Sequence, residues 1–128
     1  MAEMTIKKRP KFLDLTKIHL PLPGKISILH RISGVGLFLF LPVILWLFAA
    51  SVGSPESFAL FKSVASHWIV KVVLAGLIWA FIYHFCAGIR FLLLDFHVGI
   101  EKLAARKSAA LVLVVSIPLT LAAWGVLL

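Results

Sequence analysis

Residues 81–95 read FIYHFCAGIRFLLLD, an apolar run with His84 near its middle. An ionisable side chain inside a bilayer is costly and usually has a function. At about 100° per residue, Gly88, Phe91 and Asp95 fall on the face of His84 or close to it. A small residue on that face lets another backbone or a flat ligand approach closely. The face therefore offers a nitrogen ligand, space beside it and a carboxylate nearer the membrane edge.

The composition of the whole chain is that of an integral membrane protein. Of its 128 residues, 62% are hydrophobic, and the mean hydropathy is +1.08. A soluble domain of this size cannot bury so much apolar surface. The net charge of +8 does not indicate nucleic acid, because the basic residues flank the apolar runs, as topology signals and lipid-binding residues do. We expect membrane lipids, and no nucleic acid, as partners. The lone Cys86 is expected to be a small packing residue.

Three long apolar runs predict an all-α integral membrane protein with three transmembrane helices in a single domain, residues 1–128. The expected helices cover about 27–51, 64–94 and 108–128, and a loop is expected over 51–63. An interfacial segment over 1–26 should precede them, interrupted by Pro21, Pro23 and Gly24.

The distribution of lysine and arginine predicts the orientation of the chain. Seven of these residues lie in the segment that ends at Arg31, and four lie in residues 90–107. With three spans, both segments are on one side of the membrane. The positive-inside rule therefore predicts a cytoplasmic N-terminus and a C-terminus on the outer, periplasmic side.

Three polar residues mark the start of the first span: Ser27, His30 and Arg31. Ser27 and Arg31 share a helix face because they are four residues apart, and His30 faces a neighbouring direction. A hydroxyl and a guanidinium are both donors, so together they could hold a carbonyl or phenolate oxygen at the membrane edge. The alternative is that Arg31 and His30 only reach toward lipid phosphates.

His84 has two interpretations on the residues alone. It could be hydrogen-bonded to another helix, or its imidazole could be an axial ligand of haem iron. Helix rise in an antiparallel pair places His30 and Arg31 about 10 Å below His84, which suits iron in the apolar layer and propionates at the edge. Since the chain has one deeply placed histidine, a second iron ligand would come from another subunit.

Four segments of the sequence carry a resemblance to a known family. They are SILHRISG at Ser27–Gly34, YHFCAGIRFLLLD at Tyr83–Asp95, RPKFLDL at Arg9–Leu15 and SPESF at Ser54–Phe58. Together they resemble the cytochrome b556 membrane-anchor subunits of bacterial succinate dehydrogenase, or complex II, over nearly the whole chain. The resemblance implies a multi-pass protein of the bacterial inner membrane. Its partners would be a second anchor subunit, an iron–sulfur subunit and a flavoprotein subunit.

The resemblance also implies an activity and a set of site residues. The chain would carry electrons from the iron–sulfur subunit to ubiquinone, in the tricarboxylic acid cycle and aerobic respiration, without itself oxidising succinate. His84 would ligate the iron of one haem b, with the other ligand coming from the second anchor subunit. His30 and Arg31 would lie by the propionates, Ser27 and Arg31 would line the ubiquinone site, and Asp95 would be near its proton supply.

One departure from the family and several alternatives bear on this interpretation. The family often has histidine where this chain has Phe91, so a further propionate contact is affected, but the iron ligand is not. The alternatives are a fumarate reductase anchor, a quinone-binding anchor without haem, a purely structural anchor and a small transporter. A transporter would be expected to carry an acidic residue deep in a span, and none of the five acidic residues is deep.

Overall fold

The computed structural model describes residue 14 and residues 17–128, and within these it is all-helical. The helices are α1 (Leu22–Val52), α2 (Pro55–Ser66), α3 (Trp68–Asp95) and α4 (Lys102–Leu127). By length and composition α1, α3 and α4 can each cross a membrane, which confirms the prediction of three spans. The RPKFLDL motif and most of the predicted interfacial segment lie outside the described residues, apart from Asp14.

Helix α1 begins at Leu22, five residues before the predicted boundary. Pro23 lies in its first turn, where a backbone N–H has no partner within the helix, so proline costs nothing there. Pro23 was expected to interrupt this segment, but it lies in the first turn of α1. The 31 residues of α1 span about 46 Å, so the helix is longer than the apolar layer of a bilayer is thick.

The predicted loop over 51–63 is wrong for most of its length, because Pro55–Ser66 is helical. The Ser57 N–H donates to Ser54 Oγ at 3.2 Å, and the Ser54 N–H donates to Ser57 Oγ at 2.8 Å. This capping box begins α2, and an extended backbone at His67 ends it. The predicted single helix over 64–94 is therefore divided, and the second span begins at Trp68.

Helix α4 also begins earlier than predicted, at Lys102 instead of residue 108. The residues before Ser108 fall between the second and third predicted helices. Of these, Lys102, Arg106 and Lys107 are exposed on the first turns of α4, and a charged side chain on an exposed helix face is compatible with helix. The α3–α4 connection is correspondingly short, and it turns through positive φ at His97 and Gly99.

The three long helices pack as neighbours with α3 antiparallel to both others. Just past the middle of α3, the Tyr83 hydroxyl donates to the Ile26 carbonyl at the start of α1, at 2.9 Å. Nearer the beginning of α3, the Ala75 carbonyl accepts from the Trp124 indole N–H at the end of α4, at 3.0 Å. The buried core includes Ile26 and Tyr83, and Cys86 packs against it as predicted.

Candidate functional site

The imidazole rings of His30 and His84 stack on each other between α1 and α3. Their centroids are 4.0 Å apart and their planes differ by 12°. The expectation that His30 lies about 10 Å below His84 is therefore wrong. Because α1 begins at Leu22, His30 is already about two turns into the helix, and antiparallel packing brings it level with His84.

A hydrogen-bond network fixes the orientation of the His84 ring. Its Nδ1 lies 3.1 Å from the His30 carbonyl oxygen and 3.1 Å from Ser33 Oγ. The Ser33 hydroxyl itself donates to the same His30 carbonyl, at 2.9 Å. Since a carbonyl oxygen can only accept, the neutral imidazole carries its proton on Nδ1. The lone pair is then on Nε2, which has no hydrogen-bond partner among the described residues.

Glycine makes the close approach of α1 to His84 possible. A Cβ atom on Gly34 would lie 2.8 Å from His84 Cε1, so any other residue there would displace the ring. A Cβ on Gly88 would lie 3.7 Å from His30 Nε2, which is an ordinary contact. On the predicted small-residue face of α3, the His30 ring therefore fills the space beside Gly88 and Phe91. The space beside Gly76, on the same helix, is open.

These residues fit one axial ligand of a haem. A histidine that ligates a metal usually donates its other ring N–H to a carbonyl or carboxylate, and His84 Nδ1 meets the His30 carbonyl in this way. His84 is half-buried, so part of its side chain is accessible from outside the chain. The His30 ring covers one face of His84, whereas a metal–nitrogen bond lies in the plane of the ring.

The other predicted site residues lie at different heights along the axis of the helix bundle. Arg31 is exposed on α1 directly after His30, and Ser27 is half-buried one turn before Arg31. Asp95 is the exposed last residue of α3, about 16 Å of helix rise beyond His84. The structure therefore brings His30 and His84 together and leaves Asp95 at the polar end of the bundle.

Sequence reasoning missed the two residues that orient His84, namely Ser33 and Gly34. A signal was present, because this serine and glycine occur in an apolar run directly after the His30–Arg31 pair. Serine in a helix can bond back to a carbonyl one turn earlier, and glycine permits close helix contact. Neither pattern identifies the partner across the interface, so the sequence alone did not distinguish them from ordinary helix-packing residues.

Arg90 belongs to the opposite side of α3. It is 6% exposed, and its Nε donates to Ser108 Oγ at 3.0 Å. One Nη2 proton is donated to the Ala105 carbonyl at 3.3 Å. The guanidinium therefore joins α3 to α4 and does not contribute to the histidine pair.

The chain is similar to known proteins over most of its length. Residues 5–123 match the family described as succinate dehydrogenase/fumarate reductase transmembrane subunit. The succinate dehydrogenase cytochrome b556 subunit of Paracoccus denitrificans is 37% identical over 85% of this chain and 84% of that protein. The subunit of the same name from Coxiella burnetii is 41% identical over 85% and 88%. That of Rickettsia prowazekii is 32% identical over 91% of each.

Proposed function

The chain belongs to the succinate dehydrogenase/fumarate reductase transmembrane subunit family, and from this premise we propose that it is a haem b- and ubiquinone-binding membrane anchor. It is a membrane subunit of the succinate dehydrogenase enzyme complex. The observation that carries the haem assignment is the orientation of His84. Its Nδ1 is engaged by the His30 carbonyl and Ser33, which leaves Nε2 for iron.

In this proposal His84 would hold the iron of haem b through Nε2, and a second anchor subunit would supply the other iron ligand. The exposed guanidinium of Arg31, with His30 beside it, is suited to the propionates because arginine binds carboxylates by charge-assisted hydrogen bonds. When bound, the haem supplies a one-electron redox centre. The contribution of this chain is to fix the ligand's tautomer and to hold the ring still through Ser33 and Gly34.

We assign the quinone-binding role to Ser27 and Arg31 on the first turns of α1. The hydroxyl and the guanidinium can each donate to a quinone oxygen, and donors held in place stabilise the negative charge that develops on that oxygen during reduction. Reduction of ubiquinone takes two electrons and two protons. Asp95, exposed at the end of α3, is our candidate for delivering protons from the cytoplasmic side.

The proposed complex contains a second anchor subunit, an iron–sulfur subunit and a flavoprotein subunit in the bacterial inner membrane. The iron–sulfur subunit would dock at the end of the bundle where α1 begins and Asp95 ends α3. Three candidate spans and the positive-inside rule support a cytoplasmic location for that end. The family description also covers fumarate reductase, but the relatives from Paracoccus denitrificans, Coxiella burnetii and Rickettsia prowazekii are all named as succinate dehydrogenase subunits.

The haem assignment is tested by replacing His84 with leucine. We expect His84→Leu to abolish the low-spin b-type band in the reduced-minus-oxidised visible spectrum of the purified complex, because the chain loses its iron ligand. The matched control is His67→Leu, since His67 caps the start of α3 and is exposed. An unchanged low-spin band in His84→Leu would remove His84 as a ligand.

The quinone assignment is tested by replacing Arg31 with alanine. Arg31→Ala should lower succinate:ubiquinone reductase activity while succinate oxidation by a soluble dye continues, because the dye does not need the membrane site. Lys25→Ala is the control, as Lys25 is also exposed and basic and lies early in α1. Equal loss of both activities would indicate failed assembly and contradict a specific role at the quinone site.

A further inference from the structure

A cavity of about 630 Å³ lies between α3 and α4, on the side of α3 that faces away from the histidine pair. It is at the end of the bundle where the short turn containing Gly99 joins the two helices. Most of its wall is aliphatic, with Leu111 and Val115 on α4 and Leu93 on α3. Its charged or hydroxyl-bearing side chains are Arg90, Lys107 and Ser108.

Arg90 brings to this cavity a positive charge that pairs with no carboxylate among the described residues, although its guanidinium lies 5.3 Å from the centre of the Phe91 ring. It is 6% exposed, and no carboxylate in residues 14 and 17–128 lies within ion-pair distance of it. A guanidinium has five N–H donors, and the bonds to Ser108 and Ala105 use two of them. A buried charge without a counter-charge is costly, so an anion at this position would be stabilised.

Lys107 adds a second positive charge at the same level of the bundle. It lines the cavity next to Ser108, the residue that accepts from Arg90, and the cavity lining has no acidic residue. From Lys107 the wall continues along α4 to Val115, a helix rise of about 12 Å. The cavity therefore has a cationic end and a long aliphatic wall.

This shape and charge select one class of occupant. Inorganic phosphate would pair with the cations and leave the aliphatic wall uncovered. A neutral quinone would cover the wall and leave Arg90 without a counter-charge. An acidic phospholipid meets both requirements, and such lipids are concentrated in the cytoplasmic leaflet, where the positive-inside rule puts this end of the chain.

We propose that the α3–α4 cavity binds an acidic phospholipid. Its phosphate is held by Arg90 and Lys107, and one acyl chain lies along Leu111 and Val115. The lipid supplies the counter-charge that Arg90 lacks and fills the space between the two helices. The site is separate from the haem ligand, because His84 faces α1 and this cavity faces α4.

The test uses the complete complex, purified in detergent and stripped of lipid. It is titrated with phosphatidylglycerol or phosphatidylcholine of the same acyl chains, and the melting temperature and the lipid retained in native mass spectrometry are measured. We expect phosphatidylglycerol to raise the melting temperature and to be retained, and phosphatidylcholine to do neither. Lys107→Gln should weaken phosphatidylglycerol binding about fivefold, the effect of one basic residue near an acidic lipid.

Lys102→Gln is the matched control, because Lys102 is exposed on the same helix and does not line the cavity. It should leave phosphatidylglycerol binding unchanged. A second variant, Leu111→Trp, fills the cavity without altering charge and should also weaken binding. Three results would each overturn the proposal: equal effects of Lys102→Gln and Lys107→Gln, equal binding of phosphatidylcholine, or the same stabilisation by inorganic phosphate at matched concentration.

Discussion

The two sides of α3 use ionisable side chains in opposite ways. His84 faces α1, and Arg90, six residues later and about 240° around the helix, faces α4. The His84 network engages one ring nitrogen and leaves the other with a lone pair. Arg90 has donors only, and it uses them to join two helices. A histidine held at one nitrogen can serve as a ligand, whereas an arginine can only hold acceptors and anions.

The largest loss of stability should come from removing Arg90, which joins α3 to α4. Arg90→Ala removes two hydrogen bonds between helices and most of a buried side chain, so the complex should lose about 3 kcal/mol of stability. Thermal unfolding of the purified complex measures this. Arg106→Ala, an exposed arginine on α4, is the control and should change little. A stability loss no larger than the control's would show that Arg90 does not hold the two helices together.

A smaller loss of stability is expected from crowding the contact between α1 and His84. Gly34→Ala would put a Cβ atom 2.8 Å from His84 Cε1, and relieving this contact should cost about 2 kcal/mol and displace the haem ligand. The measurement is the haem content per complex, from the visible spectrum.

Gly36→Ala is a matched control for that substitution. Apart from its chain neighbours and the backbone of its own helix, no described atom lies within 4 Å of the Cβ position at Gly36. Alanine also favours helix over glycine, so this variant should keep its haem. Gly88→Ala, with its nearest contact at 3.7 Å, should also keep it. Full haem content in Gly34→Ala would contradict the close packing of α1 against His84.

The smallest effect should follow from removing one of the two partners of His84 Nδ1. Ser33→Ala leaves the His30 carbonyl in place, so we expect haem to bind but about tenfold more weakly, with about 1 kcal/mol lost in stability. Haem retention on dilution measures this. Ser51→Ala is the control, because Ser51 also donates to a carbonyl three residues earlier in α1, that of Phe48. Complete loss of haem would show that the carbonyl alone cannot orient the ring.

The sequence predicted the spans because long apolar runs have one stable solution in a bilayer, and its errors were at the boundaries. Pro23 was taken as a helix breaker, although proline is acceptable in a first turn. The helix at Pro55–Ser66 was missed because its capping box has serine at the third position, where glutamate or glutamine is the usual signal. The start of α4 is predicted too late, because the residues before Ser108 are polar and charged, although such residues are compatible with an exposed helix face.

The sequence by itself determined that this is a membrane protein with three spans and that His84 lies within one of the three apolar runs. Hydropathy and helical periodicity are local properties, so they can be read along one chain. Only the tertiary structure decided that His30 is level with His84, that Nε2 is the free nitrogen, and that Arg90 faces α4. Each of these depends on where one helix meets another, and periodicity determines the face of a helix but not the depth at which its partner crosses it.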